Sequence, residues 1–371
     1  MKAIVWDKRS GALKLAQRPE PEISAASDVK AAVVSTGVCG TDREVLSRKG
    51  FIPPENSNFL ITGHEVLARL VETGPAVEGL KPGDFVSFTI RRGCEACGPC
   101  MSGRPDMCVT GRYFERGLGY ADGFNSEFVV DSAVTCVKLP SGIERLGVLC
   151  EPFSTVQKAI HSAREAARRL PGTGGELWFH GLRCLVMGAG PVGLLASMAL
   201  ILRGARLWCV DIVDERSCRP EWLRSVGGNY IDGRKLKPGR LQEAAGGKFG
   251  LIYQAAGAPE AAFSLLPSLA PNGVFVFFAS GRGRIRADGG LITGIIDGNQ
   301  TLIGSISSAP HHFTMALADL AHGELKWPGH ARGLITGRFA PSDYLKAYRQ
   351  EPLKSIKTVI DWGQVAEKDL N

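Results

Sequence analysis

The sequence predicts an α/β protein with two domains, one rich in β-strands and one built on a doubly wound parallel sheet. A glycine-rich turn in the middle of the chain stands between short apolar runs, in the order strand, turn, helix and strand. Residues 1–155 contain short strand-like runs separated by Gly, Pro and Asp. The length, 371 residues, exceeds what a single hydrophobic core usually organises.

The glycine-rich turn predicts a cradle for a dinucleotide. An apolar run over 184–187 leads into the turn, which consists of Gly188, Ala189, Gly190, Pro191, Val192 and Gly193. Gly188 permits a tight bend, Gly190 lets the backbone approach a pyrophosphate, and Gly193 allows the next helix to pack closely on the strand. The following strand ends at Asp211, where a carboxylate accepts hydrogen bonds from ribose hydroxyls. An ordinary glycine-rich loop is the alternative for the turn alone, but its flanking strands favour a cofactor.

The cofactor is predicted to be NAD, with NADP possible. Asp211 would repel a 2′-phosphate, whereas Arg216 and Arg219 downstream could fold back and accept one. A further strand is expected over 249–254, and small residues at its end, including Ala256, leave room for the cofactor.

The β-rich segment is expected to form a small barrel or sandwich. Its strands are predicted at residues 2–6, 29–35, 65–73, 84–89 and 125–130. The tail, residues 305–371, contains a predicted helix over 343–349 and a strand over 357–360, and we expect it to return to the first domain.

Composition indicates a globular enzyme. Apolar residues make up 44% of the chain and charged residues 22%. The chain contains no apolar run of the roughly twenty residues that a membrane span needs and no signal-peptide pattern, so we expect a cytoplasmic protein without a membrane partner. The net charge of +7 is scattered along the chain, which argues against nucleic-acid binding. A nucleic-acid-binding zinc ribbon stays as a weaker alternative.

Four cysteines predict a structural zinc site. Cys94, Cys97, Cys100 and Cys108 are separated by two, two and seven residues. Four thiolates at such spacings can close a tetrahedral shell, which leaves no open position for chemistry. An iron–sulfur cluster and disulfides are the competing interpretations.

A second, mixed donor set predicts a catalytic zinc. Cys39 follows a strand, His64 and Glu65 open the next apolar run, and Glu151 lies in an apolar context where an unpaired carboxylate is costly. Sulfur, nitrogen and oxygen ligands together suit zinc with one open position. Taken singly, Cys39 is compatible with a core residue, His64 with a hydrogen-bonded histidine and Glu151 with a helix-start acid.

Together these motifs resemble the zinc-dependent medium-chain alcohol dehydrogenase family, and within it the archaeal-type glucose dehydrogenase branch. The likeness rests on CGTDRE from Cys39, GHE from Gly63, RRGC with the cysteines that follow it, DGF from Asp122, EP at Glu151 and N-x-T-x-I-G from Asn299. It implies a GroES-like catalytic domain over residues 1–155, a Rossmann domain over 156–304 and a return to the catalytic domain over 305–371.

The resemblance also assigns residues. It implies a catalytic zinc held by Cys39, His64 and Glu65, with Glu151 near the metal. Thr41 takes the position of the hydroxyl that relays the substrate proton, and Glu115 that of a sugar-contacting carboxylate.

Further positions are implied near the cofactor and the sugar. Ser305 and Ser307 are placed near the cofactor. Three positions depart from the branch's sugar-binding pattern: Ile90 stands where it has Asn, Asp297 where it has His, and Ser307 where it has Asn.

The predicted function is zinc-dependent transfer of a hydride between a sugar-like, polyol or cyclitol alcohol and a nicotinamide cofactor. The alternatives are a glucose or aldose 1-dehydrogenase proper, and a carbonyl reductase running in the opposite direction. The partners expected are a small-molecule alcohol and further copies of the chain, in a homodimer or homotetramer.

Overall fold

The computed structural model describes residues 1–48, 50–173, 175–236, 240–285, 289–351 and 353–363. These residues form two compact units. Unit 1 comprises Met1–Ser154, Ser307–Glu324 and the described residues from 331 onward, and unit 2 comprises Thr155–Ile306 and Leu325–His330.

The regular elements have the following bounds. The strands are β1 (Lys2–Asp7), β2 (Ala12–Gln17), β3 (Asp28–Val38), β4 (Phe59–Ile61), β5 (Glu65–Thr73), β6 (Phe85–Phe88), β7 (Arg91–Arg92), β8 (Phe114–Arg116), β9 (Tyr120–Ala121), β10 (Phe128–Ser132), β11 (Cys136–Lys138), β12 (Arg183–Met187), β13 (Arg206–Asp211), β14 (Asn229–Asp232), β15 (Phe249–Gln254), β16 (Leu269–Phe277), β17 (Thr301–Gly304), β18 (Ile335–Phe339) and β19 (Lys357–Asp361). The α-helices are α1 (Gly40–Ser47), α2 (Gly98–Met101), α3 (Cys150–Ala167), α4 (Pro191–Leu202), α5 (Cys218–Ser225), α6 (Leu241–Ala244), α7 (Pro259–Ser264), α8 (Gly289–Asp297), α9 (Pro310–Lys326) and α10 (Tyr344–Arg349).

Unit 1 is organised around the long strand β3. Its largest sheet has the order β11-β6-β5-β3-β19-β18, and β10 also pairs with β3. The strand β19 comes from the C-terminal segment and runs antiparallel to β3, with Thr358 opposite Val38 and Asp361 opposite Ser35. Most of β3 is buried, which fits its run of Ala and Val residues. The C-terminal segment therefore completes the sheet that carries Cys39.

Unit 2 is a parallel sheet of the order β14-β13-β12-β15-β16-β17. Every pairing in it is parallel, and the apolar strands β12 and β15 at its centre are almost entirely buried. The helix α4 follows β12 and is buried over residues 193–200 because it is apolar on every side. The predicted fold class, a β-rich unit and a doubly wound parallel sheet, is confirmed.

None of the described helices combines the length and the apolar character that crossing a lipid bilayer requires. Residues 286–288 lie outside the described ranges, and α8 begins directly after them at Gly289.

Candidate active site

The carboxyl edge of the unit 2 sheet gathers the residues predicted to hold a cofactor. The register places the ends of four strands side by side: Met187 opposite Gln254, Gln254 opposite Phe277, and Phe277 opposite Gly304. The residues that follow these strand ends therefore adjoin one another. Crevices of this kind, next to the point where the strand order reverses, are where open α/β sheets bind ligands.

The glycines of the turn have separate physical roles. Gly188 has φ 105°, a backbone conformation that favours glycine. A methyl group on Gly193 would collide with the Gly188 carbonyl, so only glycine lets α4 pack on the turn. A methyl group on Gly190 would meet no atom within 4 Å, and Gly190 caps α4 with no side chain. Open space in front of a helix N-terminus fits the phosphates of a dinucleotide.

Asp211 ends β13 at the same edge. Its carboxylate accepts hydrogen bonds from the backbone N–H of Ala189, within the turn, and from that of Ile212 at 2.6 Å. Burial lowers the pKa of the Arg219 guanidinium, and the charge of Asp211 opposes that shift, so the two side chains lie within electrostatic reach. Arg216 is exposed, and its backbone N–H donates to Asp214 Oδ1 at 2.8 Å.

A buried amide, Gln254, joins two loops at this edge. Its Oε1 accepts hydrogen bonds from the backbone N–H of Phe278 at 2.9 Å and of Ala279 at 3.1 Å. Its Nε2 donates to the carbonyls of Ala256 and Ala279. All four hydrogen-bonding positions of the amide are used, so Gln254 sets the spacing of the loops that follow β15 and β16.

In unit 1, three candidate ligands of the catalytic zinc come together. Cys39 follows β3 and caps α1, while His64 and Glu65 follow the turn at Gly63, whose φ is 87°. The ligand atoms of Cys39, His64 and Glu65 all lie within 4.8 Å of one another, and His64 and Glu65 are buried.

Buried charges support this donor set from behind. Asp42 Oδ1 lies 3.1 Å from His64 Nδ1, which orients the ring so that Nε2 is the atom left for a metal. The other oxygen of Asp42 accepts the backbone N–H of Cys39 at 2.9 Å. Glu65 forms a buried ion pair with Lys357 of β19. Thr41 is exposed, with Oγ1 3.6 Å from Cys39 Sγ.

The electrostatics of the set favour a cation. Burial acts against a charged His64, but Asp42 and Cys39 outweigh it and hold the pKa of His64 well above its usual range. Burial likewise opposes a charged Lys357, yet Glu65 and Cys39 raise its pKa. A cluster of thiolate, imidazole and carboxylate that stabilises positive charge in a buried place fits zinc.

Glu151 lies in the first turn of α3 and is buried. Burial raises the pKa of Glu151 to about 7; the charges of Glu65 and Glu115 add to the rise, and those of His64 and Lys357 oppose it. Glu151 is therefore within electrostatic reach of the donor set, although it is outside the group whose ligand atoms lie within 4.8 Å.

The four cysteines of the other predicted site also converge. The sulfurs of Cys94, Cys97, Cys100 and Cys108 lie within 4.8 Å of one another, and those of Cys94 and Cys100 are 3.9 Å apart. Hydrogen bonding with Thr110 lowers the pKa of Cys94 to about 5 and that of Cys108 to about 7, whereas desolvation raises that of Cys100 to about 12. Four convergent sulfurs fit a structural metal. We call residues 94–108 the four-cysteine lobe.

The residues predicted near the substrate do not form a single cluster of this kind, and each has its own environment. Glu115, in β8, forms an ion pair with Arg91 and keeps 26% of its side chain exposed. Ile90 is only 7% exposed and packs in the hydrophobic core of unit 1. Ser307 has φ 60°, so the chain bends sharply there, while Ser305 N donates to Phe277 O at 3.0 Å.

Asp297 lies at the other edge of its sheet. It is exposed at the end of α8, and the neighbouring Gly298 carbonyl accepts the backbone N–H of Asn272 at 2.6 Å, just before the paired part of β16. This is the amino edge, whereas Gly188, Ala256 and Ser305 follow the carboxyl ends of their strands. Within unit 2, Asp297 is not brought to the cofactor crevice.

Four residues that hold the predicted site residues or their loops in place were not assigned this role from the sequence. Asp42 follows Cys39 by three residues, the spacing of a capping box, so a local signal for it existed. Lys357, Arg91 and Gln254 act on partners distant in sequence, and no local pattern identifies them.

Comparison with known proteins now places the chain in a family. The family model for the alcohol dehydrogenase GroES-like domain matches residues 25–141, and the model described as glucose dehydrogenase C-terminus matches residues 144–362, more than half of the chain. The chain belongs to the zinc-dependent medium-chain alcohol dehydrogenases, in their archaeal-type glucose dehydrogenase branch. The predicted family and enzyme class of this dehydrogenase are thereby confirmed.

Curated relatives and solved structures agree with that placement. This dehydrogenase is 33% identical to glucose 1-dehydrogenase of Thermoproteus tenax, over 91% of this chain and 92% of that protein. It is 33% identical to glucose 1-dehydrogenase 2 of Vulcanisaeta moutnovskia, over 88% and 89% of the two chains. The structure of Haloferax mediterranei glucose dehydrogenase in complex with NADP, Zn and gluconolactone matches with a TM-score of 0.87 and 27% identity, over 98% of this chain and 100% of that one. Galactitol-1-phosphate dehydrogenase of Escherichia coli, at 22% identity and TM-score 0.80, shares the fold.

Proposed function

We propose that this dehydrogenase transfers a hydride between a sugar-like, polyol or cyclitol alcohol and a nicotinamide dinucleotide. The observation that carries the proposal is the buried set of Cys39, His64 and Glu65, whose ligand atoms lie within 4.8 Å of one another. Relatives with the name glucose 1-dehydrogenase, and a related structure that holds NADP, Zn and gluconolactone, support it.

Cys39, His64 and Glu65 would hold the catalytic zinc, with Glu151 as a further or exchanging ligand. A bound zinc supplies Lewis acidity, which lowers the pKa of the substrate alcohol. Asp42 holds the His64 ring in place, and Lys357 holds the Glu65 carboxylate. Thr41, exposed beside Cys39, would pass the alcohol proton to solvent.

Glu115 would bind the substrate's hydroxyl groups. A carboxylate only accepts hydrogen bonds, and hydroxyls are matching donors. Glu115 keeps Oε2 without a hydrogen bond among the described residues, and such an acceptor suits the hydroxyl groups of a neutral alcohol.

Glucose is the second candidate substrate, because the curated relatives bear the name glucose 1-dehydrogenase. We expect it to be poor. The resemblance implies Asn at both positions in the branch, where this chain has Ile90 and Ser307, and Ile90 has no polar group to offer a sugar. A sugar hydroxyl left buried without a partner costs about 1–3 kcal/mol, so two such losses lower specificity roughly a hundredfold.

A substrate panel tests this function. Glucose, galactose, xylose, a polyol and an aminocyclitol are compared at equal concentration by nicotinamide absorbance, with the wild type and with Ile90→Asn/Ser307→Asn. We expect weak turnover of glucose by the wild type and a gain in the double variant. Robust glucose oxidation that the double variant leaves unchanged would make the enzyme a glucose 1-dehydrogenase, and no oxidation of any alcohol would refute the proposal.

NAD is the proposed cofactor, with NADP as the alternative. Asp211 places a carboxylate beside the turn, where it accepts from a ribose hydroxyl and repels a phosphate. Arg219, within electrostatic reach of Asp211, supports some binding of NADP.

We also propose a cytoplasmic homodimer or homotetramer. All ten cysteines lie in described ranges and none forms a disulfide, as expected of a reducing compartment. The strand β17 ends the order of the unit 2 sheet, with Leu302 37% exposed, and α8 exposes Ile292 at 52% and Ile296 at 67%. An apolar sheet edge of this kind favours pairing with another copy. Light scattering measures the mass, and a monomer would contradict the assembly.

A further inference from the structure

We propose that Arg91 is a positioning residue that ties the four-cysteine lobe to substrate recognition. It holds the Glu115 carboxylate in place and is itself fixed by the backbone of the lobe. The inference rests on the proposed function, in which Glu115 binds substrate hydroxyls.

Arg91 is placed between the lobe and β8. It opens β7, three residues before Cys94, and stands directly opposite Glu115 in an antiparallel pair. Opposed residues in such a pair point to the same face of the sheet. Arg91 is only 5% exposed, so its guanidinium needs partners for every donor that it buries.

The guanidinium of Arg91 binds partners in β8 and in the four-cysteine lobe. Its Nε and Nη2 donate to Glu115 Oε1 at 3.0 and 2.8 Å. Its Nη1 donates to the Asp106 carbonyl at 3.3 Å, and its guanidinium lies 3.9 Å from the centre of the Tyr113 ring. A planar, charged fork that binds two partners at once holds both of them in a single arrangement.

On the lobe side of this clamp, Arg91 binds a buried residue of a hydrogen-bonded turn. Asp106 lies between Cys100 and Cys108, in a short 3₁₀ turn, and is 3% exposed. Its carboxylate receives two hydrogen bonds from Arg104, each 2.9 Å long. The Asp106 carbonyl therefore belongs to a turn that is held by hydrogen bonds within the lobe.

The substrate side of the clamp faces the candidate zinc site. The chain after β8 packs on the turn before His64, because a methyl group on Gly117 would collide with the Gly63 carbonyl. Glu115 is within electrostatic reach of Glu151. Both Arg91 bonds go to Oε1, and among the described residues Oε2 makes no hydrogen bond, so it stays free for a donor from the substrate.

Kinetics of four variants test the inference: Arg91→Lys, Glu115→Gln, the double variant that combines them, and Arg92→Lys as the matched control. Arg92 is the next residue of β7, but it binds Asp131 and the Thr89 carbonyl instead of Glu115. The substrate is the panel member with the highest kcat/KM.

The expected result is a change in KM at nearly constant kcat. Arg91→Lys and Glu115→Gln should each raise the substrate KM about tenfold, with kcat changed less than about threefold and the cofactor KM unchanged. The double variant should match the more severe single variant within about twofold, because both changes remove the same positioned oxygen. Arg92→Lys should leave all these constants within about twofold.

A second readout examines the lobe directly. Alkylation of Cys94, Cys97, Cys100 and Cys108 by iodoacetamide is followed peptide by peptide in the intact enzyme. Arg91→Lys and Arg91→Gln should speed it about threefold or more, and Glu115→Gln should not, because only Arg91 holds the Asp106 carbonyl.

The outcomes separate this inference from the proposed function. Effects of the single variants that multiply in the double variant, or lobe alkylation that Arg91→Lys leaves unchanged, overturn the role of Arg91 alone. A Glu115→Gln variant with normal KM removes Glu115 from the substrate site and overturns the inference, whereas the proposed hydride transfer fails only if no alcohol of the panel is oxidised.

Discussion

Lys357 illustrates how single buried charges organise the candidate zinc site. It is 2% exposed and pairs with the fully buried Glu65, although the two residues are far apart in the sequence. Around it, Asp42 faces His64, and Glu151 carries a pKa raised by burial. Each of these groups would be costly alone, and they are stable because each lies beside an opposite charge or a place for a cation.

Replacement of Lys357 by Met should therefore lower the free energy of unfolding strongly. In protein stripped of its exchangeable metal, Lys357→Met leaves Glu65 buried and unpaired, which costs about 3–5 kcal/mol in the free energy of unfolding. The control is Lys354→Met, since Lys354 forms an exposed pair with Glu351; it should cost at most about 1 kcal/mol. Urea unfolding measures the free energy of unfolding of both variants. Equal decreases would show that the buried pair contributes no more to stability than the exposed one.

Asp211 should determine cofactor choice. Asp211→Ala removes the carboxylate that we propose to face the ribose, so the ratio of kcat/KM for NAD to that for NADP should fall about tenfold or more. Asp214→Ala, an exposed acid in the following loop, serves as the matched control and should keep the ratio. Both cofactors are compared at a saturating alcohol concentration. A wild-type enzyme that works better with NADP would indicate that Arg219 dominates over Asp211.

At the scale of elements, the strands with strong patterns were predicted well and the others were not. The expected strands at 2–6 and 65–73 correspond to β1 and β5, whereas the one at 125–130 lies at 128–132. The strands β2 and β18 were missed. Only one residue of β2 is fully buried and none of β18 is, so pairing with β1 and β19 decides their conformation more than their own composition does.

The arrangement of the loops at the carboxyl edge of the unit 2 sheet should depend on the hydrogen bonds of Gln254. In Gln254→Glu, a carboxylate faces the carbonyls of Ala256 and Ala279 and the loops separate, so the Kd for NAD should rise about tenfold. The matched control is Gln300→Glu, because Gln300 donates to the Leu269 carbonyl at 3.0 Å, away from that edge. Fluorescence titration with NAD measures the affinity. An equal loss in both variants would point to general destabilisation.

At the scale of the whole molecule, two metal sites of different character predict two classes of zinc. Four cysteines can fill all the positions around a tetrahedral zinc, while the set of Cys39, His64 and Glu65 supplies three ligands and leaves a fourth position for substrate. Mild chelation should remove one zinc per chain and abolish activity while circular dichroism stays unchanged. Elemental analysis before and after chelation tests this. A single zinc in the untreated protein, or iron, would show that one site is assigned wrongly.

By itself, the sequence determined the features that depend on local spacing. The glycine turn, the four cysteines and the pair His64 and Glu65 are each encoded within a few residues, and the structure places each group as a compact set. Such sets can be recognised from the sequence, because residues that are close along the chain have only a few possible positions relative to one another.

Only the tertiary structure decided which distant side chains support those sets. Lys357 reaches Glu65 because β19 pairs with β3, and Arg91 meets the Asp106 carbonyl because the lobe folds back on β7. The same holds for Asp297, which the sequence placed near the substrate and the fold puts at the amino edge of its sheet. Such contacts follow from strand order and register, which no single segment of the chain encodes.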